Sequence, residues 1–180
     1  MPLSVALAMA LLVPPQPPPQ GTWWEIGAGL ELRRGVQLAE SLELRGGLLR
    51  PSGLRIGGGV AVSPLRELPE LGEVYAYRGL SAFTGAWWQA DGGWAPGLGV
   101  TLGAGAYAFQ GPSGKVDTVF VPRLGAESSL AIPLRDSVTL IVRVTLAGDL
   151  RRVRLFVDEV PVADLSPWAL QAGFGLRFGP

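Results

Sequence analysis

From Trp168 to Phe178 every second residue is apolar: Trp168, Leu170, Ala172, Phe174, Leu176 and Phe178. The residues between them, Ala169, Gln171, Gly173, Gly175 and Arg177, are small or polar. Side chains alternate between the two faces of a strand, so one face of this segment is apolar and the other small or charged. Aromatics sit at both ends of the apolar face, the profile of a strand that crosses a bilayer in a closed barrel. The same alternation recurs upstream in Thr22–Arg33, Ser41–Leu49, Leu54–Ser63, Val74–Trp88, Gly97–Ala108, Arg123–Ile132 and Val138–Leu146. Both faces of Val74–Trp88 carry aromatics; Leu80, Ala82, Ala86 and Trp88 are assigned outward, a bulge being the device that could reverse the register.

Gly35, Arg50-Pro51-Ser52-Gly53, Pro64–Glu73, Asp91-Gly92-Gly93, Gln110–Asp117, Pro133–Ser137 and Gly148–Pro167 read as connections, alternately shorter and longer. Eight segments of roughly ten residues, joined this way, predict an all-β, closed antiparallel up-and-down transmembrane β-barrel. Closure pairs every strand edge, which an apolar surrounding makes compulsory.

The last strand also carries a family likeness. Gln171, Gly173, Leu176 and Phe178 are spaced as a polar residue, a glycine, a hydrophobic residue and a final aromatic. This resembles the C-terminal assembly signal of outer-membrane β-barrels, with the difference that Gly179 and Pro180 follow the aromatic. After Gln20 the pattern of strands is similar to the small OmpA-type and OmpX-type eight-stranded barrels. The resemblance implies an outer-membrane location, insertion by the barrel-assembly machinery, and contact with outer-membrane lipid and lipopolysaccharide. The alternative is a soluble lipocalin-like barrel whose apolar face points inward. The glycine-rich polar face suits a narrow packed lumen better than a solvated surface. Lys115 is the only lysine, whereas soluble sheet edges commonly use lysine.

Leu3–Val13 is an apolar run followed by a proline-rich stretch, too short for a membrane helix and of a length that suits a signal peptide. The chain therefore divides into a signal peptide with a proline-rich lead at 1–20 and a barrel at 21–180. Histidine and cysteine are both absent from the 180 residues, which excludes Ser-His hydrolases, disulfides and thiolate chemistry. The formal net charge is zero, so nothing favours nucleic acid. A monomer without enzymatic activity, cofactor or metal is expected.

If the polar face is interior, Glu25, Glu31, Glu43 and Glu127 share the lumen with Arg33, Arg45, Arg55, Arg123, Arg143 and Arg177. An eight-stranded barrel is just wide enough for side chains to fill, and buried charges must pair. An Arg–Glu network closing the lumen is expected, with Glu127 as the partner of Arg143. Arg151, Arg152 and Arg154 fall in the longest connection, where guanidiniums could meet lipopolysaccharide phosphates or simply be solvated beside Asp149, Asp158, Glu159 and Asp164. The six tryptophans lie near strand ends, where interfacial anchoring is the expected role and aromatic recognition of a carbohydrate the alternative. A structural or loop-presenting role leads; a transport or small-ligand barrel is the alternative.

Overall fold

The computed structural model describes residues 21–33, 36–50, 53–67, 76–90, 94–110, 116–157 and 160–179. The lead at 1–20, Gly35, the turn at Asp91-Gly92-Gly93, the centres of the connections Pro64–Glu73 and Gln110–Asp117, and the acidic Asp158 and Glu159 lie outside the described residues. Among the described residues there are ten strands: β1 Thr22–Arg33, β2 Val36–Leu49, β3 Leu54–Glu67, β4 Ala76–Gln89, β5 Ala95–Gln110, β6 Val116–Arg135, β7 Val138–Asp149, β8 Val153–Val157, β9 Val160–Leu165 and β10 Trp168–Phe178.

Eight of them close into an antiparallel barrel. Sequential strands pair from β1 through β7, β7 pairs with β10, and β10 closes onto β1. Tracing Cα partners from Trp24 leads through Gly46, Gly58, Thr84, Leu102, Leu124 and Gly148 to Trp168, whose neighbour Ala169 already faces Arg33. One circuit thus climbs about ten residues. With a rise of about 3.3 Å per residue and strands about 4.8 Å apart, that stagger tilts the strands by about 40°. Ten residues at that tilt span about 25 Å, the height of an outer-membrane apolar band.

The direction of the apolar face decides between the two barrel types. Leu98 and Val100 are 63% and 62% exposed, and Leu32, Leu44, Leu80, Val144, Leu146 and Leu170 are exposed with them. Glu25 is 1% exposed, and Glu31, Arg33, Arg45, Glu127, Arg143 and Arg177 are buried. Charges therefore fill the interior and aliphatic side chains cover the outside, opposite to a lipocalin. A continuous apolar belt of this extent belongs against lipid rather than water. The assignment of Leu80, Ala82 and Trp88 outward holds, with Phe83 and Trp87 inward. No register shift interrupts β4 between Gly79 and Trp88; the nearest one lies between Ser63 and Arg66 of β3.

Several strands outrun the predicted bounds. β2 starts at Val36, β3 reaches Glu67, β5 reaches Gln110, and β6 covers Val116–Arg135. Alternation marks only the stretch with lipid on one side, whereas hairpin pairing continues past it. The longest connection holds an unpredicted hairpin, β8–β9, in which Arg154 faces Asp164 across the ladder. Between β2 and β3 the Gly53 N–H donates to the Arg50 carbonyl at 3.1 Å. Gly53 has φ +74°, the left-handed conformation that favours glycine.

Candidate functional site: the charged lumen

Short and long residues alternate around the inner wall. Gly85 and Gly99 lie directly against the Trp87 indole, Gly59 against Phe83 and Arg45, and Gly27 and Gly175 against the Arg143 guanidinium. The glycines are the space into which the long side chains fold. A Cβ on Gly175 would lie 2.6 Å from Arg143 Nη2 and 3.2 Å from Glu25 Oε1. Gly175→Ala is thus expected to push Arg143 off Glu25 and to destabilise the barrel by about 1–3 kcal/mol, the usual cost of overpacking. Urea unfolding in lipid vesicles checks this; an unchanged midpoint would show that the guanidinium does not occupy that space.

Three clusters cross the lumen. At the end of the longer connections, Arg33 pairs with Asp149 at 2.5 Å and Glu31 at 3.1 Å. Arg123 pairs with Glu31 at 3.0 Å, Gln171 donates to Glu31 at 2.6 Å, and the Tyr107 hydroxyl donates to Asp149 at 3.1 Å. In the middle, Arg45 meets Glu127 at 2.6 Å and Glu43 at 2.8 Å. Arg143 spans two levels, meeting Glu43 at 2.9 Å and also Glu25. At the terminal end Arg177 pairs with Glu25 at 3.0 Å and donates to Gln89 Oε1 at 2.5 Å. Arg55 donates to the same oxygen at 2.9 Å. A burial of this depth is tolerable because almost every charge has a counter-charge.

Every predicted lumen residue thus joins the network, with one partner corrected. Arg143 does not pair with Glu127. The register sets Glu127 beside Thr145 and Arg143 beside Ser129, so Arg143 lies one inward step nearer the terminal end. From there it reaches across to Glu25 and Glu43, while Glu127 takes Arg45.

Two tryptophans are also corrected. Trp23 and Trp87 are not interfacial: they are buried inside, edge-to-face at 5.7 Å, beneath Arg177 and Arg45 respectively. Trp24, Trp88, Trp94 and Trp168 lie outside the packed lumen. Among them Trp24 stacks on Phe178 at 4.0 Å across the β1–β10 seam, which buries the Phe178 ring although it faces outward.

Residues the sequence reading placed elsewhere complete the site. Asp149 is no loop counter-charge but a lumen residue; continuing the inward series Thr145, Ala147 two residues further would have found it. Gln89 follows Trp87 by the same step. Gln171, assigned to the assembly signal, points inward, as does Gly173; Leu176 and Phe178 point outward. Arg151, Arg152 and Arg154 are exposed just past Asp149. Between the middle and loop-end clusters lies a cavity of about 40 Å³, lined by Glu43, Arg45, Arg123, Glu127, Thr145 and Gln171 among others. That holds a few waters, since one needs about 10–15 Å³.

No family model and no curated protein sequence matches the chain. Solved structures do. Neisserial surface protein A (NspA) is 12% identical with a TM-score of 0.69, covering 89% of this chain and 98% of that one. The outer membrane protein OprG from Pseudomonas aeruginosa is 12% identical with a TM-score of 0.57, covering 89% and 97%. Ail, the attachment invasion locus protein of Yersinia pestis, is 13% identical with a TM-score of 0.53, covering 89% and 100%. Together with the outward apolar belt and the filled interior, these likenesses give the chain the fold of the small eight-stranded outer-membrane β-barrels.

Proposed function

We propose that the protein is a non-enzymatic integral barrel of the bacterial outer membrane, a closed scaffold that presents its longer connections outside the cell. The observation that carries this reading is the lumen, crossed at three levels by guanidinium–carboxylate pairs. A small-ligand site usually needs about 300–1,000 Å³. The cavity of about 40 Å³ falls far below that, which favours scaffold over transport. Shorter connections and both termini of the barrel's chain would face the periplasm. Gln171, Gly173, Leu176 and Phe178 would serve as the signal read by the barrel-assembly machinery. Arg151 and Arg152, exposed just beyond the belt, would meet lipopolysaccharide phosphates, which guanidinium forks suit.

The full chain, expressed in a Gram-negative host, is expected to fractionate with outer membranes. It should migrate faster unboiled than boiled on a gel, and reconstituted bilayers should show no stable conductance steps. A folded, detergent-free monomer in aqueous buffer would refute the membrane reading, and steady ion-conducting steps would refute the closed scaffold.

A further inference from the structure

The network is complete in the middle and incomplete at the terminal-end mouth. Among the described lumen residues there is one more guanidinium than carboxylate, and the excess falls on Arg55. Arg55 has no carboxylate partner among the described residues; its one hydrogen bond goes to the neutral Gln89 Oε1, which Arg177 already occupies. Two cations thus share one amide oxygen, while the Gln89 amide is turned away, its Nε2 donating to the Ala95 carbonyl at 3.1 Å.

Among the described residues, the buried side-chain atoms that lack a hydrogen-bond partner are all donors. Two belong to this mouth: Arg55 Nε and Trp23 Nε1. They form one linked group. Trp87 is the Cα partner of Arg55, Trp23 packs edge-on against Trp87, and Arg177 lies 5.4 Å from the Trp23 ring. Arg55 is only half-buried, so the group can be reached from the mouth.

We propose that this mouth binds a small oxyanion of the phosphate class between Arg55 and Arg177, with the Trp23 indole N–H as a neutral donor. A phosphate offers four acceptor oxygens and negative charge, which is what a group of surplus donors and one surplus cation lacks. Guanidinium forks match its edges. The inference does not require the outer-membrane location, because it concerns the folded barrel alone.

The test uses the full chain folded in a maltoside detergent, with the gel shift confirming the barrel in each sample. Inorganic phosphate is titrated against chloride at constant ionic strength, following the thermal midpoint and tryptophan fluorescence. Wild type is expected to gain several degrees with phosphate and none with chloride, and its fluorescence to change. Arg55→Gln should fold and lose both responses. Gln89→Glu, which supplies a fixed carboxylate to both guanidiniums, should raise the midpoint without phosphate and abolish the phosphate effect. A parallel arm offers short-chain phosphatidylglycerol: a response to the inorganic ion assigns the site to free phosphate, and one to the lipid alone assigns it to a headgroup. Equal phosphate responses in wild type and Arg55→Gln, or no response to either phosphate source, would overturn the proposal by leaving water as the donors' partner.

Discussion

Replacing Glu25 by alanine is expected to lower the unfolding free energy of the barrel in lipid by about 3–5 kcal/mol, the cost of stranding a buried partner charge. Glu25 is 1% exposed and is gripped from two strands, by Arg143 of β7 and Arg177 of β10. Its removal leaves those guanidiniums facing one another with Arg55 nearby. Arg143 keeps Glu43 and Arg177 keeps only neutral Gln89, so the terminal end carries the damage. The control is Arg55→Met. It removes a cation that has no carboxylate partner among the described residues, and it should cost little or stabilise in phosphate-free buffer. Urea unfolding in vesicles measures both. If the two variants lose stability equally, the lumen is wet enough to screen its charges, and the pairing described above contributes little.

The barrel was legible in the sequence because lipid imposes a simple rule on every strand. Residues such as Leu140, Val142, Val144 and Leu146 must be apolar one by one, and the residues between them escape that demand. Where the rule stops, so did the reading. β6 is paired well beyond the predicted Arg123–Ile132, and the β8–β9 hairpin lies within the predicted connection Gly148–Pro167. These parts continue the backbone pairing beyond the lipid-facing stretch, where no strict alternation is imposed on composition. The charged lumen was legible as a set, since Glu and Arg recur at inward positions. Its pairing was not. Glu127 and Arg143 are close in sequence and on adjacent strands, yet each finds its partner across the lumen, on β1 or β2. Which long side chains meet depends on the stagger of about ten residues, a property of closure and not of any one strand. The inward tryptophans misled for a related reason. Strand-end aromatics commonly anchor at the interface, but Trp23 and Trp87 have inward parity, and the glycines at 85 and 99 leave Trp87 its place inside. Parity was the better guide than aromatic character.

Val142→Arg is expected to cost about 2–4 kcal/mol in lipid, and the residue beside it makes the result interpretable. Val142 faces outward in the middle of β7, with Phe174 of β10 and Leu130 of β6 as its Cα partners. A guanidinium placed there meets aliphatic and aromatic neighbours, loses its water and finds no acceptor. One residue on, Arg143 is buried, lies between Gly173 and Ser129, and holds both Glu25 and Glu43. The same side chain is thus excluded at one position and needed at the next. Arg143→Met should also destabilise, by leaving Glu25 with Arg177 alone and Glu43 with Arg45 alone. Unfolding free energies in vesicles would register both losses without telling them apart. Spin labels do: at position 142 relaxation should respond to oxygen dissolved in lipid and not to a water-soluble reagent, while a label at 143 should lose the oxygen response. An inverted pattern would mean that β7 presents its other face to the membrane. Absence of oxygen access at both positions would remove the lipid belt and return the chain to an aqueous barrel.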